Sequence, residues 1–111
     1  MADIKTTRFL AIVQLHTAST IQRVARDAPG IIDMLKAAST GQHEQAFRSN
    51  DGQMFGYFIE SRLPAHRIRV AFESCPNTMN NDAVLVVEIG RETAEYGFKR
   101  PWGWVLKTQG Q

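Results

Sequence analysis

The first clear pattern in the chain lies in residues 6–16, which are rich in β-branched and apolar side chains. An extended chain turns successive side chains to opposite faces. One face would carry Phe9, Ala11, Val13 and Leu15, and the other Leu10 and Ile12. Because both faces are apolar near the middle, the segment predicts a strand in the interior of a sheet.

The next segment carries apolar residues at steps of three and four, the spacing of one helix face. They are Ile21, Val24, Ala25, Ala28, Ile31, Ile32 and Leu35. Ser19 with Gln22 matches a capping box at the start, and Gly41 is the predicted stop. A proline inside a helix costs roughly 3 kcal/mol or more. We therefore predict a break or a kink near Pro29, with Asp27 capping a second helical piece on the same surface.

Residues 43–60 have the pattern of a β-hairpin. Two strand-like runs flank residues 50–53, where Asp-Gly is a favoured two-residue loop. That register places Phe47 opposite Gly56, so that an aromatic ring covers the glycine. The second strand would show Phe55, Tyr57 and Ile59 on one face and Met54, Gly56 and Phe58 on the other.

Residues 64–75 fit two patterns. The strand pattern rests on Ile68, Val70 and Phe72, and the helical one on Ala65, Ile68, Phe72 and Cys75. Pro64 suits the first turn of a helix and Pro76 stops one after Cys75, so the boundaries favour a helix. Residues 77–82 are polar and predict a loop.

Residues 83–89 predict the strongest strand, ended by Gly90, and residues 96–107 fit a short edge strand or an extended tail. The order β-α-β-β-α-β with a C-terminal extension is that of a ferredoxin-like sandwich. We predict one α+β domain over residues 1–111, with the first strand and the strand before the second helix in central positions. This fold hosts many unrelated activities, so it does not specify a function.

Composition narrows the class of protein. A hydrophobic fraction of 43% and a charged fraction of 22% are those of a globular domain. No apolar run is long enough to span a bilayer, and residues 1–8 do not resemble a signal peptide. Cys75 is the only cysteine, which excludes an internal disulfide and a cysteine-based zinc site. We expect a cytoplasmic protein with no membrane contact, metal or cofactor.

Thirteen lysines and arginines against eleven acidic residues leave a net charge of +2, which permits acidic ligands without requiring them. A candidate phosphate-binding patch consists of His66, Arg67 and Arg69, joined by Arg23 and Arg26 if the helices lie side by side. The alternative, which we favour, is that these arginines are ordinary solvated side chains offset by Asp27 and Glu73.

The C-terminal stretch mixes cations with aromatic rings at Lys99, Arg100, Trp102 and Trp104. Proteins that bind single-stranded nucleic acid use such a mixture to hold phosphates and stack bases. Alternatively, Trp102, Trp104 and Leu106, spaced by two, cover an edge of the core or a dimer interface. The second interpretation is favoured, and both make the stretch a candidate binding surface.

Candidate catalytic groups are few. The histidines share no spacing that would gather them into a metal site, and Cys75 has no local base, so we assign it to the core. We find no phosphate-cradling glycine loop and no serine elbow. A pocket between sheet and helices would use His16, Tyr57 and Tyr96.

Residues 55–59, 64–69 and 82–89 give a strand, a helix and a strand that resemble the corresponding half of the small CRISPR-associated, ferredoxin-like endonucleases and their SinR-like relatives. The resemblance implies that fold and a symmetric dimer. That family carries a metal-binding aspartate at the end of the first strand, where residues 14–16 of this chain are Gln-Leu-His. Nuclease activity is therefore not implied.

Taken together, these patterns favour a non-enzymatic binding or regulatory domain, acting as a homodimer through protein or nucleic-acid contacts. The alternative is a small ferredoxin-like enzyme or a ligand-binding protein with a pocket between sheet and helices.

Overall fold

The computed structural model describes residues 6–90, which form an α+β fold of one four-stranded antiparallel sheet and two helices. The elements are β1 (Thr7–Gln14), α1 (Ile21–Ala38), β2 (His43–Arg48), β3 (Met54–Ser61), α2 (Ala65–Ser74) and β4 (Ala83–Glu88). The strand order is β2-β3-β1-β4, so β1 and β3 occupy the central positions that were predicted for them. Neither of these helices is long and apolar enough to cross a membrane.

The core lies between the helices and one face of the sheet. In the antiparallel register, Ala11 of β1 lies opposite Tyr57 of β3. The core side chains of the two central strands are Phe9, Ala11, Val13, Phe55, Tyr57 and Ile59, and those of the helices include Val24, Ala28, Ile31, Leu35, Ile68 and Phe72. The predicted division of β3 into two faces is therefore confirmed.

Helix α1 runs without interruption from Ile21 to Ala38 with Pro29 inside it. The predicted break and the second cap at Asp27 are wrong. Pro29 and Ala25 are both exposed, so water can reach the Ala25 carbonyl that the proline leaves without its helical donor. The buried stripe continues through Ala28 on the opposite side, and its packing outweighs the local cost of the proline.

The ends of α1 also differ from the prediction. Thr20, not Ser19, is the N-cap, and its hydroxyl oxygen accepts a hydrogen bond from the N–H of Arg23 at 3.0 Å. At the other end, Ser39 is the C-cap in an extended conformation, and its N–H donates to carbonyls of the last turn. Gly41 therefore lies beyond the helix and does not stop it.

The hairpin has the predicted pairing of Phe47 with Gly56, and the phenyl ring occupies the space above the glycine. The predicted two-residue loop is wrong, because the connection spans residues 49–53. The Asp51 carboxylate accepts hydrogen bonds from two loop neighbours at 2.7 and 3.0 Å. Gly52 adopts a φ of 74°, the left-handed region that glycine favours.

The choice of a helix for residues 64–75 is confirmed by α2, although Pro64 is its N-cap rather than part of its first turn. Cys75 is the C-cap and is buried in the core, as predicted. The strand predicted over residues 83–89 is β4. The edge strand or tail predicted for residues 96–107 lies outside the described residues.

Candidate binding cleft

A cleft of about 450 Å³ opens where β1 ends and α1 begins. Leu15, fully buried, anchors the chain after β1, and its N–H donates to the Gln53 carbonyl at 2.7 Å. The loop between α2 and β4 forms the other wall. The polar side chains that line the cleft are those of His16, Ser19, Thr20, Arg23, Arg26, Asn80 and Asn81.

The floor of the cleft is a buried ion pair between Arg23 and Asp82. Both side chains are nearly or fully inaccessible, at 9% and 0% exposure. The two terminal guanidinium nitrogens of Arg23 donate to the two carboxylate oxygens of Asp82 at 3.2 and 2.6 Å. The backbone N–H groups of His16 and Met79 donate to the same carboxylate at 2.9 and 2.8 Å. This geometry ties α1, the end of β1 and the loop before β4 together.

Asp27, one turn further along α1, extends the network. Its carboxylate accepts from Arg23 Nε at 2.9 Å, from Arg26 Nε and Nη2 at 3.2 and 3.0 Å, and from Asn77 Nδ2 at 3.2 Å. Each oxygen of Asp27 and of Asp82 therefore already accepts hydrogen bonds from the protein.

These contacts keep both acids ionised. The hydrogen bond from Arg26 is the main cause that lowers the pKa of Asp27 to about 2; burial opposes it, and Asn77 and Arg23 add to it. Burial alone would raise the pKa of Asp82, but the hydrogen bonds from Arg23 and from two backbone N–H groups outweigh it, and the pKa lies below its ordinary value. Neither carboxylate is available as a general base at neutral pH.

The groups that remain open to a ligand are mostly donors. Arg26 has 67% of its side chain exposed, although it also contacts Asp27. The first N–H groups of a helix lack intrahelical partners. At the start of α1 the Thr20 hydroxyl caps the N–H of Arg23, and those of Ile21 and Gln22 lie next to Thr20 in the chain, beside the residues that line the cleft. Asn81 has a φ of 72°, a left-handed conformation that asparagine tolerates better than most residues.

His16, a predicted pocket residue, lies in this cleft. Its Nδ1 accepts a hydrogen bond from the Ala18 N–H at 3.2 Å, so the neutral ring carries its hydrogen on Nε2 and has a donor there. Tyr57 lies elsewhere: its hydroxyl donates to Gln45 Oε1 at 3.3 Å, and burial raises its pKa. Tyr96 lies outside the described residues.

The arginines of the predicted basic patch are separated. Arg23 and Arg26 belong to the cleft network, whereas Arg69 pairs with Glu73 at 2.9 Å on α2. Arg67 is exposed on α2. His66 and Arg69 line a different hollow of about 260 Å³ against β4. Lys99, Arg100, Trp102 and Trp104 lie outside the described residues.

The sequence patterns missed two partners of Arg23. Asp82 and Asn77 were assigned only to a polar loop. Both accept hydrogen bonds from Arg23 of α1, which lies more than fifty residues earlier in the sequence. The spacing of four between Arg23 and Asp27 was a signal that could have predicted one ion pair on the helix surface. Within residues 6–90, no group of three or more His, Cys, Asp or Glu side chains is placed to hold a metal ion.

Comparison of the chain with protein-family models, with curated proteins and with solved structures finds no match in any of the three. The chemistry of the cleft is therefore argued from its own geometry.

Proposed function

We propose that this chain is a non-enzymatic binding domain whose cleft takes a small ligand with one acidic group, a carboxylate or a phosphate. A single observation carries the proposal: the acids of the cleft are fully engaged by the protein, while donors face the open space. The cleft volume of about 450 Å³ suits a small molecule.

The charge of the cleft limits the ligand to a weak anion. Arg23 and Arg26 are balanced by Asp27 and Asp82, so their formal charges cancel. A ligand with several charges gains little there, but one acidic group can accept hydrogen bonds from the exposed part of Arg26. The positive end of the α1 dipole favours the same group by about 0.3–1 kcal/mol.

The alternative of a small enzyme has less support in this cleft. Acid–base catalysis needs a group that can gain or lose a proton near neutral pH. Asp27 and Asp82 have lowered pKa values, and the Cys75 thiol is buried, 3.9 Å from the Gly30 carbonyl oxygen. In the part of the chain that the structure describes, His16 is the one histidine that lines the cleft, and both acids of the cleft network are already engaged by Arg23. A binding function requires none of these groups to react.

The proposal extends to the fold and the assembly. Antiparallel pairing of β1 with both β3 and β4, in the order β2-β3-β1-β4, supports a ferredoxin-like assignment of the sandwich.

The homodimer and the nucleic-acid or protein partner remain predictions from the sequence. Light scattering on the purified chain tests the dimer, and a mass of 12.5 kDa at every concentration would contradict it.

The experiment that tests ligand binding is thermal unfolding in sodium phosphate, compared with sodium chloride at equal ionic strength. A ligand that binds only the folded state raises the melting temperature as its concentration exceeds the Kd. We expect phosphate to raise it in the unaltered chain and in Arg67→Gln, an exposed arginine outside the cleft. The rise should be lost in Arg26→Gln. An equal rise in chloride, or in all three proteins, would contradict the proposal.

A further inference from the structure

The face of the sheet that points away from the helices is apolar. It is formed by alternate residues of the strands, and no helix in residues 6–90 packs on it. Its large apolar side chains are Leu10, Ile12, Phe47, Phe58, Leu85 and Val87. We call these residues, with Ala46 and Ile89, the outer face. An apolar face of this kind is ordinarily covered by another part of a protein.

Burial is uneven across the outer face. Phe58, near its centre, is only 7% exposed and packs with Leu10, Ala46 and Ile89. Leu85 and Val87 on the edge strand β4 are 57% and 43% exposed. The least exposed part of the outer face therefore runs diagonally from the C-terminal end of β4 towards β2.

We propose that residues 91–107 of the same chain cover the outer face along this diagonal. Ile89 directly follows β4 and packs against Phe58. The Ile89 N–H donates to the Arg8 carbonyl at 2.8 Å, which holds this residue beside β1. The following residues thus start on the face that they cover. Crossing from β4 to β2 takes three strand spacings, about 14 Å, or about five extended residues.

The segment has the composition that the face requires. Its apolar residues are Tyr96, Phe98, Trp102, Trp104, Val105 and Leu106. On β2, Glu44 lies opposite Phe58, and its buried Oε2 has no hydrogen-bond partner among the described residues. A buried carboxylate oxygen without a partner is unfavourable. Lys99 and Arg100 carry the charge that is complementary to this carboxylate.

This inference is independent of the cleft, and its first test needs no substitution. Trp102 and Trp104 are the only tryptophans, so the fluorescence of the full chain reports on the segment alone. We expect blue-shifted emission and weak quenching by acrylamide, and we expect neither to change as the protein concentration is varied. Solvent-like emission would overturn the inference.

Two other occupants would give different results. A second copy of the chain on the outer face would double the mass and make the emission depend on concentration. A nucleic-acid surface would show quenching by single-stranded DNA that weakens with salt. Either result overturns the proposal that the segment covers its own sheet.

A matched pair of variants locates the contact. Leu10→Gln places an amide beside Phe58 and should raise acrylamide quenching severalfold, with unchanged far-UV circular dichroism. Leu63→Gln alters a leucine in the connection between β3 and α2 that is already 37% exposed, and should leave quenching unchanged. If Leu10→Gln does not fold, Ala46→Gln on the edge strand β2 makes the same test. Equal quenching in the test and control variants would overturn the inference.

Discussion

Arg23 is the residue on which the arrangement of the cleft depends most. Its guanidinium group contacts Asp27 on its own helix, and Asp82 and the Asn77 carbonyl in the loop before β4. Burial of such a group is tolerated because its hydrogen bonds satisfy both the cation and the two carboxylates. The cost of removing one partner should therefore exceed that of breaking a surface ion pair.

Replacement of Asp82 by asparagine tests this dependence. The change leaves the Arg23 charge buried with only part of its compensation, and we expect a loss of about 3–5 kcal/mol in the free energy of unfolding. Urea denaturation measures it. Asp33→Asn, at an exposed position of α1, is the control and should change stability by less than about 0.5 kcal/mol. Similar losses in the two variants would contradict a structural role for the network.

The pKa of Asp27 predicts how stability depends on pH. The value is about 2 in the folded chain, against an ordinary value of 3.8, and that of Asp82 is also lowered. An acid with a lowered folded pKa stabilises the fold fully above its ordinary pKa and ceases to do so as the pH falls through the folded value. We expect the free energy of unfolding to fall between about pH 4 and about pH 2.

Urea denaturation across that pH range makes the measurement. Asp27→Asn should be less stable at neutral pH and should lose less stability on acidification, since the altered side chain no longer takes up a proton. Asp51→Asn is a comparison at a loop carboxylate outside the Arg23 network. Hydrogen bonds from Gln53 and Ser49 lower the pKa of Asp51 as well, so this variant too should lose less stability on acidification. A decline in Asp27→Asn as steep as in the unaltered chain would show that Asp27 does not contribute to the acid response.

Helix α1 shows how packing overrides a local signal. Proline predicted a break, but Pro29 lies on the exposed side, and the buried stripe passes it without a change of phase. Pro29→Ala should therefore stabilise the chain by about 1–2 kcal/mol. Helix propensity favours alanine by about 3 kcal/mol, and the more flexible unfolded chain offsets about 1 kcal/mol of it.

Thermal and urea unfolding of Pro29→Ala test this expectation. Gln22→Ala, at an exposed position in the first turn of the same helix, controls for a general effect of alanine. Loss of stability in Pro29→Ala would mean that the proline has a favourable role that the continuous helix does not explain.

The hairpin register rests on the contact between Phe47 and Gly56. A methyl group on Gly56 would overlap the Phe47 ring, so Gly56→Ala should cost about 1–3 kcal/mol. In a Phe47→Ala background the methyl group has room, and the cost should shrink. Gly90→Ala is the control, because its methyl group would meet no described atom within 4 Å. Additive effects in the Gly56 and Phe47 double-mutant cycle would contradict the contact.

Local patterns in the sequence predicted the elements better than their ends. The two-sided apolarity of β1, the Phe47–Gly56 pairing and the helix at residues 65–74 follow from neighbours close in the chain. Whether Ser19 or Thr20 caps α1, and where the hairpin loop begins and ends, are choices between conformations that differ by about one hydrogen bond. Sequence patterns do not resolve such small differences.

The cleft was predictable only in part. His16 was a candidate because it follows an interior strand, but the pairing of Arg23 with Asp82 joins residues that no local period relates. Tyr57 was grouped with His16 on residue type alone, and its hydroxyl instead bonds Gln45 on β2. Contacts between distant residues require the tertiary arrangement.

The whole molecule presents two different surfaces. At one end of the sheet is a polar cleft with a rigid, charge-balanced floor, and across the sheet from the helices is an apolar outer face. In our account, the cleft binds the ligand, and residues 91–107 of the same chain cover the outer face. The two surfaces can be tested separately, because they share no residue.

The most direct test of the central claim is a titration of the ¹⁵N-labelled chain with sodium phosphate, followed by amide chemical shifts at constant ionic strength. The account predicts saturable shifts at Ser19, Ile21, Gln22, Asn80 and Asn81, and none at Leu10 or Phe58 on the outer face. Shifts confined to α2 near His66 and Arg69, shifts spread over the whole surface, or no shifts at all would contradict a binding cleft at the start of α1.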